Sequence, residues 1–165
     1  MLINERTIKE INLVSQQCFW LNRVVDRAVS VLGVKFGMPI TSKILHQGLA
    51  HKYPLLADSV NEILDMYNEL VDYLETPTDT RDYEDIVELF QTILDENIKL
   101  YDVTRSAIFV SRETRDVNVE THLLDFLEDV NKYVAQTITL RDKAVSLKDN
   151  VEMYELLIDK IFTLS

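Results

Sequence analysis

Apolar positions in this chain recur every three or four residues over long stretches, the spacing of amphipathic helices rather than strands. Ile8, Ile11, Cys18, Leu21, Val25, Ala28 and Leu32 draw one such seam and predict a first helix over residues 5–32. Phe19, Trp20 and Val24 widen its apolar surface, as suits a rod that touches neighbours on two sides. Gly33 is placed to end this helix, and Gly37 and Pro39 to make the loop after it. A second helix, capped by Thr41 or Ser42, is expected to reach Leu74 with a bend at Pro54. The polar stretch 75–82, with Pro77, is the next connection. A third helix over 83–111 carries the seam Ile86, Leu89, Phe90, Ile93, Leu100, Val103 and Ala107. The break at 113–116 has neither Gly nor Pro and rests on Asp116 as a cap and on a change of phase. A fourth helix over 117–147 follows, with Val119, Leu123, Phe126, Val130, Tyr133 and Ile138. Asp149 and Glu152 then read as a capping-box variant that opens a short last helix over 150–163.

Four long helices and a short one predict an all-α protein, a four-helix up-down bundle with a short fifth C-terminal helix. The chain of 165 residues suits a single domain over 1–165, with no linker to divide it. Only 3 Gly and 3 Pro occur, too little punctuation for a sandwich or barrel of short strands. No internal repeat points to a solenoid.

Composition narrows the function classes. Acidic residues outnumber basic ones, for a net charge of −11, and no Lys/Arg cluster offsets this, so nucleic acid is not an expected partner. No stretch of eighteen apolar residues and no apolar leader is present, so no membrane partner is expected and a cytoplasmic setting is the default reading. The single cysteine, Cys18, excludes an internal disulfide or a CxxC zinc site and reads as a buried, inert thiol. There is no GxSxG, no base beside Cys18 and no glycine-rich phosphate loop. Glu62 and Asp65 match half of the Glu-x-x-Asp pattern of all-α nucleotide pyrophosphohydrolases, but the upstream Glu-x-x-Glu is missing.

The stretch 44–65 gathers the chemistry. On a helical count of about 100° per residue, His51, Asp58 and Glu62 fall within roughly 40° of one another. Leu56, Val60, Ile63, Tyr67 and Leu74 form an apolar stripe on nearly the opposite side. Carboxylates and imidazole together suit iron, manganese or zinc, provided three or more converge. The bland reading is a solvated acidic face with an exposed histidine. If Pro54 breaks the helix, His51 leaves the row. His46, between Leu45 and Leu49, reads as partly buried rather than a ligand. His122 with Asp125 is either a ligand pair from the fourth helix or a hydrogen-bonded surface pair. Glu84, Glu88 and Glu96 are candidate partners on the third helix or part of a charged outer face. Trp20, Tyr67, Tyr101 and Tyr133 read as core or interface aromatics.

Two regions resemble the ferritin-like superfamily, in particular its small Dps-type (mini-ferritin) branch. One is HQGLAHKYPLLADSVNEILDMYNELVDYL, residues 46–74; the other is the helix pair within 83–143, which contains RETRDVNVETHLLDFLEDVNKY. The Asp-x-x-x-Glu of that branch matches at Asp58 and Glu62. Ferritin-like di-iron proteins also use Glu-x-x-His pairs, and this chain has none. A crossover as long as the bundle needs more than the eight residues of 75–82, so the resemblance requires part of 67–74 to join it. The resemblance implies a homo-oligomer that binds or oxidises iron at a site between subunits, with a role in iron storage or oxidative-stress protection. Asp58, Glu62, His51 and His122 would be the ligands, and the enzyme class would be a ferroxidase. The alternative is a metal-free bundle that docks with itself or with another protein.

Overall fold

The computed structural model describes residues 2–164. Asn4 accepts the Arg6 N–H and opens α1, Glu5–Val34, whose buried seam includes Ile11, Cys18, Leu21, Val25, Ala28 and Leu32, as the periodicity predicts. Gly33 lies inside α1 rather than ending it. The left-handed residue is Gly37, with φ +62°, where a Cβ is strained whatever space surrounds it.

The second rod is built in three pieces: α2, Pro39–Leu45; one π-helical turn, His46–Ala50; and α3, Lys52–Met66. Neither Thr41 nor Ser42 caps it. Pro39 occupies the first turn, and the free N–H groups of Ile40 and Thr41 donate to the Glu155 carboxylate at 3.1 and 2.7 Å. The cap thus comes from the far end of the sequence, which no local pattern reveals. Ser42 instead donates to the Val29 carbonyl of α1.

Pro54 does not break the rod, but it leaves a mark. Its missing N–H would have bonded the Ala50 carbonyl one turn back. Asn22 of α1 donates to that carbonyl instead, at 2.9 Å. The wider π turn lies just upstream, with the His51 N–H donating to the His46 carbonyl.

α3 stops at Met66, not Leu74. Asn68 adopts a left-handed conformation, φ 57°, and residues 67–85 form a crossover with no helix. This segment climbs alongside α1. The Asp72 N–H donates to Asn12, Gln16 donates to the Glu75 carbonyl, Arg27 to the Arg81 carbonyl, and Lys35 to Asp82. Arg81 also lies over the Trp20 ring, 5.5 Å from its centroid. The part of 67–74 that the resemblance needed for a crossover is in it.

The crossover delivers the chain to α4, Ile86–Glu113, which is capped by Asp85 rather than starting at Tyr83. Arg115, with φ 63°, turns the chain without Gly or Pro into α5, Val117–Leu147. Asp116 makes no cap bond here. Its carboxylate accepts from Thr7 at 2.6 Å and Thr114 at 2.7 Å, tying this turn to the start of α1. The last helix, α6, Val151–Ile161, is capped by Asn150 rather than by an Asp149/Glu152 box. Tyr154 anchors it, stacked on Phe90 and donating to the Leu140 carbonyl.

α1 packs against α3 and α4, and α5 packs against α4 and α3, so α3 and α4 face each other across a diagonal. The chain directions are up, down, down, up. The four-helix bundle with a short C-terminal helix is the predicted architecture, with no strand among the described residues. Two positions of the predicted apolar stripes depart from expectation: Ile138 on α5 and Leu74 on the crossover are exposed.

Candidate metal centre

A ferritin-like di-iron centre would sit between the four rods at mid-height, built from inward glutamates and histidines. That place holds other side chains. α1 contributes Cys18, the second rod Tyr53, α4 Asn97 and α5 Tyr133. Cys18, Tyr53 and Asn97 have no exposed surface. Tyr53 donates its phenol to Asn97 Oδ1 at 2.9 Å, and Asn97 donates to the Ile93 carbonyl at 2.9 Å. The Tyr53 and Tyr133 rings stand 5.5 Å apart. Burial pushes the Cys18 thiol and the Tyr53 phenol well above their ordinary ranges. Burial, the Asp129 carboxylate and Cys18 push Tyr133 up to about 12. All three groups are therefore protonated and neutral near pH 7 and are poor ligands for iron, which prefers charged oxygen and imidazole. A buried thiol, two phenols and an amide do not fit a di-iron centre.

On α4 a carboxylate enters the interior. Glu96 is 6 % exposed and accepts from Gln17 at 2.9 Å and Lys99 at 3.3 Å. Of the two readings the sequence left open for Glu96, its burial excludes the charged outer face. A buried carboxylate with an amide and an ammonium for partners is satisfied as it stands. Glu84 and Glu88 are exposed near the start of α4, where Glu88 accepts the Glu84 N–H.

The four residues singled out as ligands divide. His51, Asp58 and Glu62 are all exposed, and the core stripe Leu56, Val60 and Ile63 is buried on the opposite side, as the helical count predicts. Glu62 of α3 and His122 of α5 both line a cleft between the two helices, together with Asp125 and Asp129. Asp58 lies one turn before Glu62 and does not line that cleft. His51 turns elsewhere, against His46, with ring centroids 4.4 Å apart. His46 itself is exposed rather than partly buried and lies 3.2 Å from Asp26 of α1. Among the described residues, no three His, Cys, Asp or Glu side chains converge as a complete metal-binding group.

The residues that the sequence reading misses as a set are those of the bundle centre. Periodicity marks Cys18 and Tyr133 separately, as a core thiol and a core aromatic. Tyr53 and Asn97 carry no local signal, because only the packing of four rods brings them to one level.

No family model matches the chain, and no curated protein matches it. Solved structures do. An open-pore ferritin from the hyperthermophilic archaeon Archaeoglobus fulgidus superposes with a TM-score of 0.88 at 9% identity, over 96% of this chain and 97% of that one. A form of the same ferritin engineered to be closed gives 0.87 at 10% identity, over 98% and 99%. A variant of PmFTN soaked in iron gives 0.83 at 11% identity, over 93% of this chain and 98% of that one. At such low identity the agreement establishes the fold: this chain has the ferritin fold over nearly its whole length.

Proposed function

We propose that this chain is a ferritin-like protein that assembles with copies of itself and takes up iron on its acidic outer faces, not at the centre of each bundle. Iron is the cargo. The observation that carries the reading is the cleft between α3 and α5, which Glu62, His122, Asp125 and Asp129 line. Carboxylate oxygens and one imidazole on separate helices make a donor set that suits ferrous and ferric ions. Asp58, one turn away, extends the exposed carboxylate row along α3. A site shared between subunits, as the mini-ferritin resemblance implies, would supply the ligands that one chain lacks. A net charge of −11 concentrates cations at the surface. No helix among the described residues is long and apolar enough to cross a membrane.

Ferrous iron added under air to metal-free protein tests this, with iron per chain and particle size measured together. An assembled particle that retains ferric iron, and retains less in the variant combining Asp58→Asn, Glu62→Gln and His122→Gln, supports the reading. Particles that take up no iron overturn it and leave the second reading, a metal-free association module. One observation favours that second reading: Leu70 and Tyr73, 87% and 71% exposed on the crossover, offer an apolar contact surface.

A further inference from the structure

An α-helix would hold residues five apart on different faces, about 140° from one another. His46 and His51 are five apart, yet their rings meet edge to face with centroids 4.4 Å apart. The π turn His46–Ala50 accounts for this, because its wider winding rotates the later residue back toward the earlier one. The turn is stabilised from outside, by Asn22 donating to the Ala50 carbonyl that Pro54 cannot satisfy. Asp26, one helical turn after Asn22 on α1, approaches the same place. Its Oδ1 is shielded from water and faces His46 Nδ1 at 3.2 Å, without the alignment of a hydrogen bond. Both imidazoles are exposed to solvent.

We infer that His46 and His51 form a second, separate metal site, for a single borderline divalent ion of the zinc, nickel or copper class. Two neutral imidazoles are the donor set such ions prefer, whereas iron favours a larger share of oxygen. Asp26 stands beside His46, and its negative charge favours a cation bound at that ring. Water would complete the coordination, since no third side chain among the described residues converges there. The site shares no residue with the α3–α5 cleft, so it stands or falls apart from iron uptake. It also gives the π turn a purpose beyond accommodating Pro54, since a regular helix would separate the two rings.

Calorimetric titration of the intact, metal-free chain with nickel chloride tests this, followed by imidazole NMR signals. One ion per chain is expected, with the His46 and His51 ring signals shifting and that of His122 unchanged. His46→Gln and His51→Gln each abolish this binding, and Asp26→Asn weakens it by about tenfold. All three positions are exposed or half-exposed, and unchanged far-ultraviolet circular dichroism verifies that the variants fold. Nickel binding that survives His46→Gln and His51→Gln, or that disappears in His122→Gln, overturns the assignment. No nickel binding by the unaltered protein overturns it as well.

Discussion

Replacing Asn22 with Ala tests how α1 and the second rod are joined. Asn22 Nδ2 donates to the Ala50 carbonyl at 2.9 Å, and Ala50 is fully buried. Pro54 has no N–H to take over, so Asn22→Ala leaves that carbonyl without its donor. An unsatisfied buried polar group costs about 1–3 kcal/mol. For a domain of this size each kcal/mol lowers Tm by about 2–4 °C. A cost near the middle of that range predicts a fall of about 4–8 °C in thermal unfolding. The same substitution in a Pro54→Ala background should cost much less, because alanine at that position restores the N–H one turn ahead of the orphaned carbonyl. The coupling between the two sites is then about 1–2 kcal/mol, measured as a double-mutant cycle by urea unfolding. Equal costs in the two backgrounds would refute the link between Pro54, the π turn and Asn22.

Three further outcomes follow from other contacts. Gly48→Ala would put a Cβ 2.6 Å from the Phe162 ring, so that ring must shift; the expected cost is about 1–3 kcal/mol in chemical unfolding, reduced when Phe162→Leu is added. Glu155→Gln weakens a charged cap on α2, and unfolding is expected about 0.5–2 kcal/mol easier, with hydrogen exchange at Ile40 and Thr41 accelerated. Burial raises the phenols of Tyr53, Tyr133 and Tyr154, which favours their neutral form in the fold. Their contribution is complete below the ordinary phenol value near 10 and is lost as pH rises toward about 12, where Tyr133 ionises. Ultraviolet titration should therefore show late phenol ionisation coinciding with alkaline unfolding. Full ionisation of all tyrosines near pH 10 in folded protein would contradict the buried placement.

Helix positions are largely readable because burial along α1, α4 and α5 follows the apolar period, and α5 begins and ends where its pattern does. The end of the second rod is not. Tyr67, Leu70, Val71 and Leu74 continue a helical spacing, yet Leu70 is exposed and the segment runs extended along α1. Asn68, which tolerates a left-handed backbone, is the local signal for the stop. The caps at Ile40 and Thr41 escape notice because their partner, Glu155, lies more than a hundred residues away. The exposed Asp58–Glu62 row is legible from helical phase alone. His51, expected in the same row, stands at the very start of α3 and packs its ring on His46, away from the α3–α5 cleft. The bundle centre is the least legible part, since Tyr53 meets Asn97 only across two rods.

Anomalous scattering from iron-soaked crystals tests most directly whether metal handling has left the bundle interior. The expected result is density near Glu62 and His122, or between subunits, with none among Cys18, Tyr53, Asn97 and Tyr133. An iron peak inside that central group would contradict the account, because it would require those neutral, buried side chains to act as ligands.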